Sequence, residues 1–361
     1  MFEHFFSKSS SQVFVAFLQK YERHMAIVAL VGGFVFDTLT LTRPGALFGN
    51  VVLGGYLLVS AGCILAFSLY GRKQKVAPFL LLLLLQFCFG NLAGGLLVLY
   101  GKSGTFEGSI LFFLMFGIFI AINEFFRKRY TLLVFHIGAW FFLLLGYCAL
   151  IVPVLVRQMG DSIFLWSVGL SLLVVATLLL FVYALSPASF AGLKKQISAT
   201  IGGLALFFVG LYFVNIIPPV PLSLQQIGVF HSLVRTAQGY EATFERPEWY
   251  DFFRETSKTF TLGESNTAFC FGAIFAPAGL ATPVHHHWEE YDTTLKEWRT
   301  RNIISFVIAG GRQEGFRGYS EKDGLRPGRW RCSVETERGA LIGRTTFTVV
   351  SGTPTLSKIS L

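Results

Sequence analysis

Charged residues are scarce in this sequence. Asp, Glu, Lys and Arg make up 14% of the 361 residues, whereas 53% are hydrophobic, and the mean hydropathy is +0.57. Between residues 24 and 217, Asp37 is the only acidic residue well inside an apolar run. Because soluble domains carry more charge and less apolar sequence, this composition excludes an ordinary soluble protein and predicts an integral membrane protein.

No cleavable leader is expected from the sequence, and cysteines are few. The first apolar run is too long for a signal peptide and has no small-residue cleavage pattern, so we expect a retained helix. Of the 5 cysteines, three lie inside apolar runs, where a buried thiol is expected: Cys63, Cys88 and Cys148. Cys270 and Cys332 lie in the polar C-terminal part, and whether they form a disulfide stays open at this point.

The apolar part of the chain divides into seven runs separated by short loops. Each run is close to the ~20 residues that a helix needs to cross about 30 Å of hydrocarbon. We therefore predict a membrane all-α bundle over residues 24–217, with seven transmembrane helices at 24–42, 51–70, 76–100, 107–124, 131–152, 161–184 and 197–217.

Lys and Arg alternate in density from loop to loop. Eleven of them lie in residues 1–23 and in the second, fourth and sixth loops, while the other loops hold three, Arg43, Lys102 and Arg157. Because cytoplasmic loops are enriched in Lys and Arg, this asymmetry predicts a multi-pass bacterial inner-membrane protein. Its N-terminal segment 1–23 is expected in the cytoplasm and its C-terminal domain in the periplasm.

Almost all of the net positive charge lies in the predicted membrane part of the chain. Residues before 219 carry 14 basic and 6 acidic side chains, which accounts for +8 of the total of +9. This positive charge flanks the membrane, so it indicates contact with membrane lipids and not with nucleic acid.

After a Pro-rich linker at 218–222, the hydrophobic pattern changes from helical to alternating. Gly and Pro separate short alternating runs, which is typical of antiparallel strands. The runs lie at 228–236 and 240–245, which we interpret as a hairpin, and at 259–262, 267–275, 283–291, 302–309, 329–336 and 341–350. Residues 223–361 are therefore predicted to form an all-β sandwich or jelly-roll-like domain.

A run of three histidines is the most obvious chemical feature of this domain. In a strand, His285, His287 and Glu289 share one side, and two imidazoles with a carboxylate can hold Zn or Fe. The spacing resembles the first metal motif of cupins. However, no histidine follows His287 to supply a later ligand, so a metal-dependent enzyme is kept only as an alternative, and no cofactor is otherwise expected.

Three polar residues inside the predicted spans are further candidates, because polar groups within a membrane are functional by default. Asp37, Asn91 and His136 could line a path in a transporter or channel component. The competing interpretation is that Asp37 lies near the outer end of its helix, close to Arg43, and that the amides and His136 hydrogen-bond between helices. The amides are those of Asn91, Gln86 and Asn215.

Several short motifs recur in order along the C-terminal part: His286-x-Trp288, Gly310-Gly311-Arg312, Gly315-Phe316-Arg317, Ser320-x-Lys322, Pro327-Gly328-x-Trp330-Arg331 and Gly339-x-x-x-Gly343-Arg344. Over roughly residues 265–350 this pattern resembles a bacterial extracytoplasmic β-sandwich family, a domain of unknown function often attached to membrane helices. The resemblance implies a β-sandwich outside the cytoplasm and carries no activity.

The same motifs combine aromatic rings with guanidinium groups. Arginines bind carboxylate or phosphate in bidentate fashion, and Trp288 or Trp298 could stack on a sugar. We therefore predict the ligand-binding residues His286, Trp288, Arg312, Arg317, Arg329 and Arg331. The alternative is that the arginines pair with nearby acids such as Glu314 and Glu335 and that Trp330 is core.

No catalytic residues are predicted, because Ser305 and Ser320 lie in no sequence context typical of a nucleophile. The preferred hypothesis is a non-enzymatic membrane protein whose periplasmic domain binds an envelope glycan, a lipid head group or a membrane-protein partner.

Overall fold

The computed structural model describes residues 35, 37–41, 45–70, 79–125, 133–237, 239–249, 256–263, 266–312 and 314–361. Helices occupy the N-terminal part of these residues and strands the C-terminal part. The predicted change from a helical to a β architecture is thereby confirmed.

Six helices have described bounds: α1 Leu47–Tyr70, α2 Phe79–Ser103, α3 Phe106–Phe125, α4 Leu133–Val156, α5 Asp161–Leu185 and α6 Pro187–Phe213. Residues 35 and 37–40 are helical and precede them; the rest of the predicted span 24–42 lies largely outside the described residues. Among the described residues, five helices are long and apolar enough to cross a membrane, namely α1, α2, α4, α5 and α6.

The prediction of seven spans is therefore too high for the described helices. The apolar part of α3, Glu107–Asn123, is shorter than the other five. Its backbone also leaves the helical region at Ser109, where φ is −135° and ψ is 17°. Helix α6 begins at Pro187, well before the predicted residue 197, because Pro is favoured in the first turn and the polar residues there continue the helix.

Helix α4 lies at the centre of the bundle, with most of its side chains buried. Neighbouring helices bond to its backbone and side chains: Tyr100 Oη donates to the Gly146 carbonyl at 2.8 Å, and Trp140 Nε1 donates to the Leu57 carbonyl at 3.0 Å. Gly146 also packs against Phe116. These contacts supply polar groups with partners where water is excluded, which is a requirement for helices in lipid.

The C-terminal part contains eleven described strands: β1 Ser223–Phe230, β2 Ser232–Arg235, β3 Tyr240–Glu245, β4 Thr259–Leu262, β5 Ala268–Phe275, β6 Ala281–Asp292, β7 Glu297–Ala309, β8 Phe316–Lys322, β9 Gly328–Thr336, β10 Leu341–Ser351 and β11 Leu356–Ser360. They form three sheets, in the orders β1-β5-β8, β4-β10-β9-β6-β7 and β11-β3-β2. The pairs are antiparallel except for β4 with β10, which is parallel. The predicted β-rich domain is confirmed, and its arrangement as a sandwich stays a prediction.

The β domain differs from the predicted strands at three places. The first strand begins at Ser223, and it pairs with β5, while only the shorter β2 forms the predicted hairpin with β3. Strands β8 and β11 were not predicted. The inward residues of β8 include Gly318 and Ser320, so this strand shows no hydrophobic alternation.

A disulfide joins the three-stranded sheet β1-β5-β8 to the five-stranded sheet. Cys270 on β5 and Cys332 on β9 are bonded, with a sequence separation of 62 residues. Both sulfurs lie in a core that includes Trp288, Trp330 and Phe347. Trp330 is buried, as expected from its alternation with Cys332.

Hydrogen bonds and an ion pair connect the β domain to one end of the helical bundle. Ser223 Oγ donates to the Lys102 carbonyl at 2.7 Å, and Asn215 Nδ2 donates to the Arg338 carbonyl at 2.9 Å. The guanidinium of Arg338 is also paired with Asp161 at 2.8 Å. The Pro-rich segment 218–222 is buried at this junction, so it packs between the two parts and does not form a free linker.

Candidate functional site

Strand β6 carries the three histidines, and alternation places them on two faces of the five-stranded sheet. His286 and Trp288 point into the core and are 0% exposed. His285 and His287 lie on the other face, which we call the outer face. The predicted sharing of one side by His285, His287 and Glu289 agrees with the pairing of β6 with β9, where the three lie opposite Glu335, Ser333 and Arg331.

Glu289 is held by an arginine on the neighbouring strand. Arg331 Nε and Nη2 donate to the two carboxylate oxygens at 2.5 and 2.8 Å, which is the bidentate geometry of strong pairs. Burial opposes ionisation of Glu289, but the Arg331 hydrogen bond and charge outweigh it and lower the pKa of the carboxyl group. Glu289 is therefore ionised and already neutralised by a partner.

His287 is also fully engaged. Its Nδ1 lies 3.2 Å from Glu335 Oε2, and its Nε2 lies 2.8 Å from Thr300 Oγ1. The hydrogen bond to Glu335 raises the pKa of the His287 imidazole, against the opposing effect of partial burial.

These partners argue against the predicted metal site. Both ring nitrogens of His287 and both oxygens of Glu289 are occupied by other groups. Within the described part of the chain, His285, His287 and Glu289 do not form a cluster with metal-ligand distances. The donor set thus fails to fit Zn or Fe, and no chemistry is assigned to such an ion.

An aromatic and cationic patch occupies the outer face near the far end of β6. Tyr291 and Trp298 meet edge to face at 5.2 Å between ring centroids. The Arg331 guanidinium lies 4.4 Å from the Trp298 ring centre, and that of Arg329 lies 5.1 Å from Tyr291 and 5.6 Å from Trp298. We call Tyr291, Trp298 and Arg329 the aromatic–arginine patch.

Arg329 differs from the other arginines of this face. Arg331 is paired with Glu289, and Arg344 with Glu107 at 3.2 Å. Arg329 is exposed, and none of the described acidic side chains forms an ion pair with it. The patch therefore presents one positive charge that is not neutralised within the described protein.

The other two predicted arginines lie elsewhere. Arg312 and Arg317 line a shallow open pocket of about 350 Å³ with Glu314 and Gly315. Arg317 is paired there with Glu314 at 2.7 Å and donates to the Leu361 carbonyl. The four predicted arginines therefore lie at two places: Arg329 and Arg331 on the outer face, and Arg312 and Arg317 at this pocket. Arg317 is paired with a neighbouring acid, as the alternative interpretation expects.

The inner face of β6 has its own polar network, centred on Ser320 of β8. Trp288 Nε1 donates to Ser320 Oγ at 2.9 Å, and His286 Nδ1 lies 2.8 Å from the same oxygen. His286 and Trp288 are therefore buried by the domain itself and do not lie where a surface ligand could reach them. Ser320 has a central role that its sequence context does not indicate, since its strand was not predicted.

Burial lowers the pKa of His286 to about 4, so the imidazole is neutral at physiological pH. Its Nε2 is buried and has no hydrogen-bond partner. A ring nitrogen of His286 and the sulfurs of Cys270 and Cys332 lie within 4.8 Å of one another. Because the two sulfurs are bonded to each other, they provide no thiolate for a metal, and the cluster is a packed part of the core.

The three polar candidates in the bundle, Asp37, Asn91 and His136, each contact different residues. Asp37 is buried against Gly94, and Asn91 Nδ2 donates to the Phe87 carbonyl of its own helix. His136 is buried and packs against Phe67, with 4.9 Å between ring centroids.

Of the other two polar groups, Gln86 follows the alternative interpretation, whereas Asn215 does not. Gln86 Nε2 donates to the Asn123 carbonyl at 2.9 Å, and Asn123 Nδ2 donates to the Gln86 carbonyl at 3.1 Å, which joins α2 to α3. Asn215 bonds to the β domain as described above.

The architecture is that of a helical membrane-type domain followed by a β domain. One comparison with known proteins matches a part of the β domain. A family model described as "Protein of unknown function (DUF2914)" matches residues 281–349, from the start of β6 to near the end of β10. This match confirms the predicted domain of unknown function in the C-terminal region. No curated protein matches the chain.

Two solved structures show weak likeness to the chain. One is the Pseudomonas fluorescens alkylpurine DNA glycosylase AlkC bound to DNA containing an abasic site analog, with 11% identity, 85% of this chain and 99% of that chain covered, and a TM-score of 0.21. The other is a β-glucosidase from Listeria innocua in complex with isofagomine, with 11% identity, 36% and 17% coverage, and a TM-score of 0.18. These scores are too low to support any inference about fold or function.

Proposed function

We propose that this chain is a non-enzymatic inner-membrane protein whose β domain, in the periplasm, binds an anionic envelope glycan through the aromatic–arginine patch. The observation that carries the proposal is the exposed, unpaired guanidinium of Arg329 beside Tyr291 and Trp298. A carboxylate on a sugar would pair with Arg329, and the rings beside it would contact the apolar face of the sugar. The residues assigned to the site are Arg329, Tyr291 and Trp298.

The helix ends that are in contact with the β domain support the periplasmic location. The domain bonds to Lys102, Glu107, Asp161 and Asn215, all at the bundle end that carries the loops poor in Lys and Arg. In the sequence, the segments rich in Lys and Arg follow α1 and α3, and Lys194 and Lys195 lie in the first turns of α6, so all of them are connected to the opposite helix ends. This arrangement is the one that the positive-inside rule associates with an outer domain.

A reporter enzyme fused after Leu361 tests the location. We expect alkaline phosphatase, which folds only in the periplasm, to be active in this fusion. Activity of a cytoplasmic reporter at the same position, with an inactive phosphatase fusion, would refute the proposed orientation.

The β-sandwich is also part of the proposal. It is supported by the core shared between the sheet β1-β5-β8 and the five-stranded sheet, and by the Cys270–Cys332 disulfide that joins them. A sandwich would leave the outer face of β6, β7 and β9 free for a ligand.

Binding is best tested with two disaccharides that differ in one charge. The first contains N-acetylmuramic acid, which has a carboxylate, and the second contains only N-acetylglucosamine, which has none. We expect the full chain in detergent to bind the acidic disaccharide more tightly in calorimetry. Arg329→Ala should weaken this binding about tenfold, as expected for loss of a hydrogen bond to a charged group.

The matched control is Lys358→Ala, which removes one positive charge from an exposed pair with Glu241 on another sheet. It should leave binding unchanged. Equal affinity for the two disaccharides, or equal weakening by the two variants, would contradict a specific role for Arg329.

A further inference from the structure

A cavity of about 260 Å³ lies at the junction of the helices and the β domain. Its walls come from the ends of α4, α5 and α6 and from the start of β6 and the turn between β9 and β10. Because helix ends of a spanning bundle lie at the level of the lipid head groups, this cavity is at the boundary between hydrocarbon and water.

The lining of the cavity is amphipathic. Pro153, Phe164 and Ile217 provide apolar surface on the helix side, while Gln158 and Thr282 provide polar groups. Small-molecule sites are typically of this kind, mostly apolar with a few polar groups that orient the ligand.

The one arginine in the wall is already neutralised. Arg338 pairs with Asp161 at 2.8 Å, and its guanidinium lies 4.0 Å from the ring centre of Tyr212. Tyr212 Oη is in turn 3.1 Å from Asp161 Oδ1. This network holds the β domain against the helices. The other charged lining residue, Glu337, is an exposed acid, so the wall offers no unpaired positive charge and the part of a ligand that enters it carries no negative charge.

A free charge lies beside the cavity instead. Arg157 is exposed, immediately precedes the lining residues Gln158 and Met159, and forms no ion pair with any described acidic side chain. Its side chain lies over Gly279, where an added Cβ would come within 2.7 Å of Arg157 Cδ. The backbone of Gly279 thus gives the arginine room to lie along the β domain at the level of the head groups.

The surface around the helix ends is suited to lipid. Leu155, two residues before Arg157, is 70% exposed, and Val214 after α6 is 63% exposed. Large exposed apolar side chains at this level are expected where a bundle meets the bilayer.

We propose that this cavity binds an anionic glycerophospholipid from the bilayer, with part of an acyl chain and the glycerol region inside the cavity and the phosphate paired with Arg157. The lipid would contact both the helices and the β domain, so it would act as a bound component of their interface. This site is separate from the aromatic–arginine patch and does not depend on the proposed glycan.

The first test measures lipid retained by the full chain after purification in detergent, by native mass spectrometry. We expect phosphatidylglycerol to remain bound and phosphatidylcholine added at the same concentration to bind about tenfold less. Thr282→Trp and the smaller Ala281→Leu fill the cavity and should both reduce the bound lipid. Thr300→Trp, on the outer face, is the control and should retain lipid like the unaltered chain.

The second test separates the head group from the chain. Arg157→Gln should remove the preference for phosphatidylglycerol over phosphatidylcholine, whereas Arg312→Gln should not. Inorganic phosphate should not displace the lipid. Retention of lipid by both cavity-filling variants that remain folded by circular dichroism, loss of lipid on adding phosphate, or absence of lipid from the unaltered chain would overturn the proposal.

Discussion

Both faces of strand β6 carry histidines, but the two faces differ in the burial and the hydrogen-bond partners of these residues. On the inner face, His286 and Trp288 are 0% exposed and share Ser320 as a hydrogen-bond partner. On the outer face, His287 and Glu289 are bonded to side chains on β7 and β9. Adjacent histidines therefore differ because a strand alternates its side chains between a core and a polar surface.

The difference extends to protonation. Burial lowers the pKa of His286 to about 4, whereas the hydrogen bond from His287 to Glu335 raises the pKa of His287. The two imidazoles are next to each other in sequence, yet one resists a positive charge and the other favours it. The environment of a histidine, more than its neighbours in the chain, decides whether it can act as a switch or a ligand.

The largest expected effect is at Trp288. Trp288→Ala should lower the free energy of opening of β6 and β9 by about 3–5 kcal/mol, because it leaves a cavity and removes the donor to Ser320. Hydrogen exchange of the β6 and β9 amides in the full chain in detergent measures this change. Thr300→Ala on the outer face is the control. An effect as small as that of the control would show that the inner face is not a tightly packed core.

A pH effect of about 3 kcal/mol is expected from His286, since its pKa falls from 6.5 in the unfolded chain to about 4. The folded state disfavours the proton, so this stabilisation is present above pH 6.5 and is lost as the pH falls from 6.5 to 4. Hydrogen exchange at several pH values should show opening become easier in this window. His286→Gln should remove the dependence, and an unchanged profile in this variant would assign it to another group.

A smaller effect, about 1–2 kcal/mol, is expected from Glu289→Gln, because it leaves the partly buried guanidinium of Arg331 without its carboxylate. Urea unfolding followed by the fluorescence of Trp298, which lies beside Arg331, reports the loss. Glu297→Gln removes an exposed acid on β7 and should change little. Similar losses for the two variants would mean that the bidentate pair adds no stability.

The smallest effect is expected from His287, and its sign is opposite to that of His286. The raised pKa of His287 means that the folded state favours the proton, so its stabilisation is present below pH 6.5 and is lost as the pH rises through the folded pKa. Titration of the imidazole by NMR in the full chain should give a midpoint above 6.5, and Glu335→Gln should lower it. A midpoint that does not respond to Glu335→Gln would contradict the assigned cause.

The alternation of β6 was predictable, but its consequences were not. The sequence places His285 and His287 on one side and His286 and Trp288 on the other, as observed. It does not indicate which side is core, because the strand is polar on both. Ser320, which is hydrogen-bonded to the buried side chains of the core side, lies on β8. Gly318 of the same strand also points inward, leaves room for Phe306 and breaks the hydrophobic alternation of the strand.

The candidate site was predicted in part for the same reason. Arg329 lies exposed beside aromatic rings, as the motif indicates. Of the two tryptophans considered for stacking on a sugar, Trp298 lies beside it and Trp288 is buried, while Tyr291 was not predicted. Arg331 is hydrogen-bonded to Glu289, which the sequence predicted as a metal ligand. Pairings between strands depend on register, and the register depends on the whole sheet.

Local composition was enough to divide the chain into an apolar helical half and a β-rich half, because length, hydropathy and side-chain period act over a few residues at a time. It also located the polar residues that lie among the helices. Long-range contacts were needed for the rest. The Cys270–Cys332 bond, the burial of His286 and the amphipathic cavity beside Arg338 each join residues far apart in sequence, so each depends on how the sheets and helices pack.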